Sequence, residues 1–116
     1  MAIYNQWMPH VHSDIHEQGY DSPYFFPPAA EPQHEFIEAY QKDFHKLLGK
    51  NIAEKFDEKN WLYNTSERFD LFYPSYGDTY PMYNGAVGMT IEQGGIRAGR
   101  EVTMENGVNL TIKERL

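Results

Sequence analysis

Two segments in which polar and apolar residues alternate constrain the fold of this chain more than any other feature. Residues 9–17 read PHVHSDIHE, and residues 87–93 read VGMTIEQ. Because successive side chains of a β-strand point to opposite faces, this alternation predicts two strands, each with one apolar and one polar face. His16 lies near the end of the first predicted strand, and Glu92 lies near the end of the second.

A long helix is predicted between the two strands. Glu31-Pro32 places a proline in a first helical turn, apolar residues then recur at helical spacing, and Gly49 is a suitable end. A shorter helical piece follows at residues 51–59. The order strand, helix, strand predicts an α/β fold, in which functional residues gather at the carboxyl ends of the strands. The apolar positions expected to pack the long helix into the core are Phe36, Ile37, Tyr40, Phe44, Leu47 and Leu48.

The remaining segments are expected to be loops and a terminal hairpin. Residues 19–30 are rich in proline and glycine and have room only for a brief extended piece at 24–26. Residues 60–86 form a long aromatic segment around the sequence FYPSYGDTYPMYNG. Two short runs, 101–104 and 108–112, flank a Glu-Asn-Gly turn and predict a hairpin, because Asn-Gly between alternating runs favours a primed turn.

Composition excludes several classes of function. Ten basic and seventeen acidic residues give a formal charge of −7, which repels phosphate backbones, so we expect no nucleic-acid partner. No apolar run approaches the roughly 18 residues that span a bilayer, so we expect no membrane segment. Cysteine is absent, and any metal site must therefore use histidine and carboxylate ligands.

His16 and Glu92 are candidates for metal-assisted chemistry. A neutral imidazole is a common zinc ligand, and a carboxylate beside a metal-bound water is a natural general base. A second arrangement would use His10, His12 and His16 as a local metal site. That segment spans about 20 Å in extended chain at roughly 3.3 Å per residue, which is too far for three ligands of one ion. We therefore interpret His10 and His12 as ordinary polar strand residues.

Two longer segments resemble parts of the zinc carboxypeptidases of the carboxypeptidase A-like family. SDIHEQGYDSPYFFPP is similar to the segment in which a strand ends in the third zinc-binding histidine. FYPSYGDTYPMYNGAVGMTIEQGGIRAG is similar to the segment that carries a mobile tyrosine and the strand ending in the catalytic glutamate. Both segments come in the family order, and the resemblance as a whole extends from Val11 to Arg100. The resemblance implies that residues 1–116 are a single partial domain, the C-terminal part of a catalytic domain whose mixed sheet has flanking helices.

The resemblance also implies roles for individual residues. His16 corresponds to the last of three zinc ligands, and Glu92 corresponds to the base that activates the zinc-bound water. Tyr73 corresponds to the mobile tyrosine, although Tyr76 and Tyr80 are close enough in sequence to take that position and are further candidates to bind substrate. Asp78 falls where the family lines its specificity pocket, and an acid there would favour a peptide substrate with a basic terminal side chain.

The chain departs from the family before His16. Family members carry an upstream His-x-x-Glu with two further zinc ligands, and an Arg and an Asn that bind the substrate; only fifteen residues precede His16. We therefore expect the chain alone to be inactive and to bind zinc weakly or not at all. Its strand edges are expected to lead to self-association. The alternative interpretation is a non-catalytic α/β module that binds peptide or carbohydrate on its aromatic segment.

Overall fold

The computed structural model of the protein describes residues 2–95, 101–103, 107–111 and 113. Three helices and six strands lie in this part of the chain. In chain order they are α1 (Ala2–Trp7), β1 (Val11–Gln18), β2 (Tyr24–Phe25), α2 (Ala39–Lys59), β3 (Tyr63–Asn64), α3 (Thr79–Tyr83), β4 (Val87–Gly94), β5 (Val102–Thr103) and β6 (Asn109–Leu110).

The first four strands of the chain form one mixed sheet, in which their spatial order is β1-β4-β2-β3. β1 and β4 are parallel and pair over eight residues, with His16 opposite Glu92 and Asp14 opposite Thr90. β2 runs antiparallel to β4 and parallel to β3. The two strands predicted from alternation are therefore adjacent, and the expected α/β fold with a mixed sheet is confirmed.

The long helix begins later and ends later than its sequence predicts. α2 starts after Glu38, where the Glu38 and Gln41 side chains form a reciprocal capping box, and Pro32 lies outside it. Gly49 does not end the helix, which continues to Lys59 and stops where Asn60 adopts a left-handed conformation. The predicted second piece at residues 51–59 is thus the C-terminal part of the same helix.

The buried face of the N-terminal half of α2 is polar, which contradicts the predicted apolar core face, whereas Phe56 near the C-terminus packs on aromatic rings. The buried positions of α2 are Gln41, His45 and Gly49. The side chains of Phe36, Tyr40, Phe44 and Leu47 are exposed, and Ile37, just before the helix, is buried. The physical reason is hydrogen bonding: Gln41 donates to the carbonyls of Met82 and Ala86, and His45 contacts the Gly88 carbonyl, so polar groups fasten the helix beside β4.

The buried apolar residues come from the sheet and the aromatic loops. They include Phe25, Phe26, Leu71, Met82, Val87 and Met89. Gly88 lets α3 approach β4, because a side-chain carbon at this position would overlap the Asp78 carbonyl. This close approach brings the segment before α3 to the carboxyl end of β4.

The end of the chain contains the predicted antiparallel pairing. Val102 lies opposite Leu110 and Thr103 opposite Asn109. Residues 104–106, which include most of the predicted turn, and residue 112 lie outside the described residues. Among the described helices, none combines the length and apolar character that crossing a membrane requires.

Candidate functional site

A pocket of about 390 Å³ opens where β1 and β4 end. The strands supply its polar floor, and the loop before α3 supplies one wall. Both strands are parallel, so residues opposite each other in the register point to the same face of the sheet. Its lining residues are Asp14, His16, Phe69, Asp70, Tyr76, Gly77, Asp78, Thr90 and Glu92.

His16 lies at the rim of the pocket with its imidazole partly exposed. Its Nε2 lies 2.9 Å from Oδ2 of Asp14, two residues earlier on the same face of β1. This hydrogen bond raises the pKa of His16 above the usual value for histidine, and the nearby carboxylates of Asp14, Glu92 and Asp78 act in the same direction. The imidazole is therefore held beside negative charge at the mouth of the pocket.

Glu92 is one of two buried carboxylates in the described part of the site. Its residue is 7 % exposed, and Oε2 is buried with no hydrogen-bond partner among the described residues. Burial raises the pKa of Glu92 above its usual range, whereas the positive charges of His16 and Arg68 oppose this shift. A carboxylate of raised pKa that lines a pocket and has an oxygen without a hydrogen-bond partner has the properties of a general base.

Asp78 lies deeper in the same pocket and is fully engaged in hydrogen bonds. The Thr79 hydroxyl donates to Oδ1 over 3.0 Å, and the Thr90 hydroxyl donates to Oδ2 over 2.8 Å. Both oxygens thus have partners, and the residue is 5 % exposed. Asp78 contributes negative charge to the pocket while it joins the start of α3 to β4.

The three candidate tyrosines occupy different positions. Tyr76 lines the pocket and is half exposed. Tyr73 is not among the lining residues, but its ring packs edge-to-face on that of Tyr76 at 5.5 Å between centroids. The Tyr80 hydroxyl donates to Asn5 and its ring packs on Tyr4 of α1, so this side chain is directed away from the pocket.

Some pocket residues were not predicted from the sequence. Asp14 could have been found, since it shares the polar face of β1 with His16. Phe69 and Asp70 carry no such signal, because they reach the pocket through an irregular segment in which Ser66 and Phe69 adopt positive φ values of 62° and 58°.

The donor set does not suit a complete zinc centre. A catalytic zinc takes three protein ligands and a water. Within the described part of the chain, no three His, Asp or Glu side chains are placed to hold one ion. Among the residues that the structure describes, the pocket offers one imidazole and one buried carboxylate oxygen without a hydrogen-bond partner, which fit a single ligand and a base.

No family profile, curated protein or solved structure matches this chain.

Proposed function

We propose that this chain is the base-bearing part of a zinc metallocarboxypeptidase, which hydrolyses the C-terminal peptide bond of a peptide substrate. The observation that supports this proposal best is the β1–β4 register, which sets His16 opposite Glu92 at the mouth of one pocket. These are the two residues to which the family resemblance gives the roles of zinc ligand and general base.

In this proposal the residues of the chain have separate tasks. Glu92 accepts a proton from a water molecule in the pocket, for which its raised pKa and its Oε2, which has no hydrogen-bond partner among the described residues, are suited. His16 contributes one ligand nitrogen at the rim. Tyr76 lines the pocket and Tyr73 packs on it, so either hydroxyl could reach a bound peptide by a side-chain movement.

The remaining zinc ligands would come from polypeptide outside this sequence. In the family that the two segments resemble, zinc supplies the activated water. We expect the longer protein to carry a His-x-x-Glu and an arginine-rich segment before Met1. The chain by itself is then expected to be inactive and to bind zinc weakly.

The substrate preference proposed for the pocket is a basic terminal side chain. Asp14, Asp70, Asp78 and Glu92 line the pocket, and His16 is the one basic side chain among the lining residues that the structure describes. Their charges favour a cationic group. Asp78 acts through its charge, since its oxygens already accept hydrogen bonds from Thr79 and Thr90.

The decisive experiment compares Glu92→Gln with the unsubstituted longer protein. The variant should lose peptidase turnover by several orders of magnitude and keep its zinc, because the base is not a ligand. His16→Gln should lose both zinc and turnover. Loss of zinc in Glu92→Gln, or a coding sequence with no His-x-x-Glu upstream, would contradict the proposal.

A second candidate function is peptide or carbohydrate binding without catalysis. It is favoured by the exposed aromatic side chains of Phe72, Tyr73 and Tyr76 beside the pocket. In this case the 116-residue chain itself would bind a ligand, Tyr76→Ala would weaken that binding, and Glu92→Gln would leave it unchanged. Hydrolysis that depends on Glu92 would exclude this candidate.

We also propose that the chain self-associates through β1. This strand lies at the edge of the sheet and exposes the apolar side chains of Val11 and Ile15. Exposed edges and apolar patches of this kind tend to pair with another chain.

A further inference from the structure

Asp14 contacts both His16 and the loop that covers the pocket. Its Oδ2 lies 2.9 Å from Nε2 of His16. On the other side, Gly77 approaches so closely that a side-chain carbon there would overlap Oδ2 and Cγ of Asp14. The carboxylate, whose side chain is 32 % exposed, therefore contacts the imidazole and lies close to the Gly77 backbone.

Gly77 is required here for space. Its φ is not positive, in contrast to Gly85, whose φ is 82° and which has nothing within 4 Å of an added side-chain carbon. Any side chain at position 77 must therefore displace the Asp14 carboxylate or move the loop. This makes the position of Asp14 depend on a residue in a distant part of the sequence.

Among the acids of the pocket that the structure describes, Asp14 is the carboxylate that contacts His16. The oxygens of Asp78 are occupied by Thr79 and Thr90, and Oε2 of Glu92 has no hydrogen-bond partner among the described residues. Asp70 accepts a hydrogen bond from the backbone of Phe72. The orientation of the imidazole is thus determined by one carboxylate.

We propose that Asp14 is the positioning residue of His16 and that Gly77 is the residue that makes room for it. A carboxylate beside Nε2 accepts a hydrogen bond from the Nε2 proton, so the neutral imidazole carries its proton there and leaves Nδ1 unprotonated. Nδ1 is then the ring nitrogen whose lone pair would be left to act as an acceptor or a ligand. Its use as a ligand rests on the proposed function, whereas the arrangement of Asp14, His16 and Gly77 does not.

The test uses ¹⁵N-labelled chain without metal, at a pH of about 9 where imidazoles are neutral. The ¹⁵N shifts of the His16 ring, assigned by their loss in His16→Gln, report which nitrogen carries the proton. In the unsubstituted chain the Nε2-protonated form should dominate. Asp14→Ala and Gly77→Ala should each produce a measurable fraction of the Nδ1-protonated form, and Asp14→Asn should give an intermediate effect. Asp70→Asn is the matched control and should leave the ring unchanged.

The urea midpoints of the same variants distinguish the loss of one specific contact from a general destabilisation of the fold. Gly77→Ala should lower the urea midpoint of the chain, but should lower it much less in the Asp14→Ala background, where the overlapping carboxylate is absent. Unchanged His16 shifts in Asp14→Ala, or equal costs of Gly77→Ala in both backgrounds, would overturn the proposal. Neither measurement involves zinc or peptidase activity, so failure here is distinguishable from failure of the proposed function.

Discussion

Single residues in this protein show how burial with incomplete hydrogen bonding changes protonation. His45 is buried between α2 and β4, with Nε2 2.8 Å from the Gly88 carbonyl and Nδ1 buried without a hydrogen-bond partner among the described residues. Burial lowers the pKa of His45 below the usual histidine value, although the hydrogen bond to Gly88 and the charge of Asp78 oppose the shift. His16 behaves in the opposite way, because its hydrogen bond to Asp14 raises its pKa.

The lowered pKa of His45 predicts acid sensitivity of the fold. Below the unfolded pKa of about 6.5, the unfolded chain binds a proton that the folded chain does not, so the free energy of unfolding falls as pH falls from that value toward the lowered pKa. Urea unfolding at several pH values between about 5 and 8 measures this dependence. His45→Gln, which keeps a donor for the Gly88 carbonyl, should lose less stability on acidification than the unsubstituted chain.

His16 provides the control of opposite sign for this pH dependence. Its raised pKa stabilises the fold below about 6.5, and that contribution is lost as pH rises through the folded pKa. His16→Gln should therefore lose more stability on acidification than the unsubstituted chain. Equal pH dependence in the unsubstituted chain and in His45→Gln would show that His45 titrates normally and is not buried as described.

At the scale of elements, α2 shows which part of the fold could be predicted from the sequence. The alternation of polar and apolar residues at 11–17 and 87–93 predicted β1 and β4 correctly, because strict alternation is typical of a half-buried strand. Apolar spacing predicted a helix but the wrong buried face, since α2 packs through the hydrogen bonds of Gln41 and His45. Side-chain hydrogen bonds to distant carbonyls have no periodic signature in a sequence.

The functional site, too, could be predicted from the sequence only where it depends on strand periodicity. His16 and Glu92 were predicted to lie at strand ends, and the register of two adjacent parallel strands places them opposite each other. Asp70 and Phe69 reach the pocket through left-handed backbone conformations at non-glycine residues, which local sequence does not specify. The contact between Asp14 and Gly77 joins segments more than sixty residues apart and depends on the tertiary fold.

Gly49 gives a prediction at this scale that is opposite to helix propensity. Alanine in place of glycine inside a helix normally stabilises it by about 1 kcal/mol. A side-chain carbon at Gly49 would overlap the Pro27 carbonyl, so Gly49→Ala should instead destabilise the chain by about 1–3 kcal/mol. Urea unfolding measures the difference, with Lys50→Ala at the adjacent exposed helix position as the control. A more stable Gly49→Ala chain would mean that α2 does not pack on Pro27.

The molecule as a whole exposes an apolar surface that no other described segment covers. Val11 and Ile15 are exposed on the edge strand β1, and the outer side of α2 exposes Tyr40, Phe44 and Leu47. A protein of this size normally buries such residues or uses them in an interface. The β1 part of this surface is where the proposed self-association would take place.

Self-association through β1 predicts an effect of charge on the exposed edge. Ile15→Lys should shift the chain toward monomer, because a charged side chain on an edge strand opposes pairing with another strand. Light scattering coupled to size exclusion at several concentrations measures the mass. Val108→Lys, at an exposed apolar position next to β6, is the matched control and should leave the mass unchanged. A monomeric unsubstituted chain at high concentration would contradict the proposal.

Whether His16 and Glu92 share a pocket is tested by the pKa of Glu92, measured by ¹³C NMR in the 116-residue chain and in His16→Gln. We predict a pKa above the usual glutamate range in the unsubstituted chain, and a still higher value in His16→Gln. That variant removes the positive charge which opposes the shift. His10→Gln, at an exposed position before β1, should not change it. An ordinary Glu92 pKa that does not respond to His16→Gln would show that the imidazole and the carboxylate do not share a pocket.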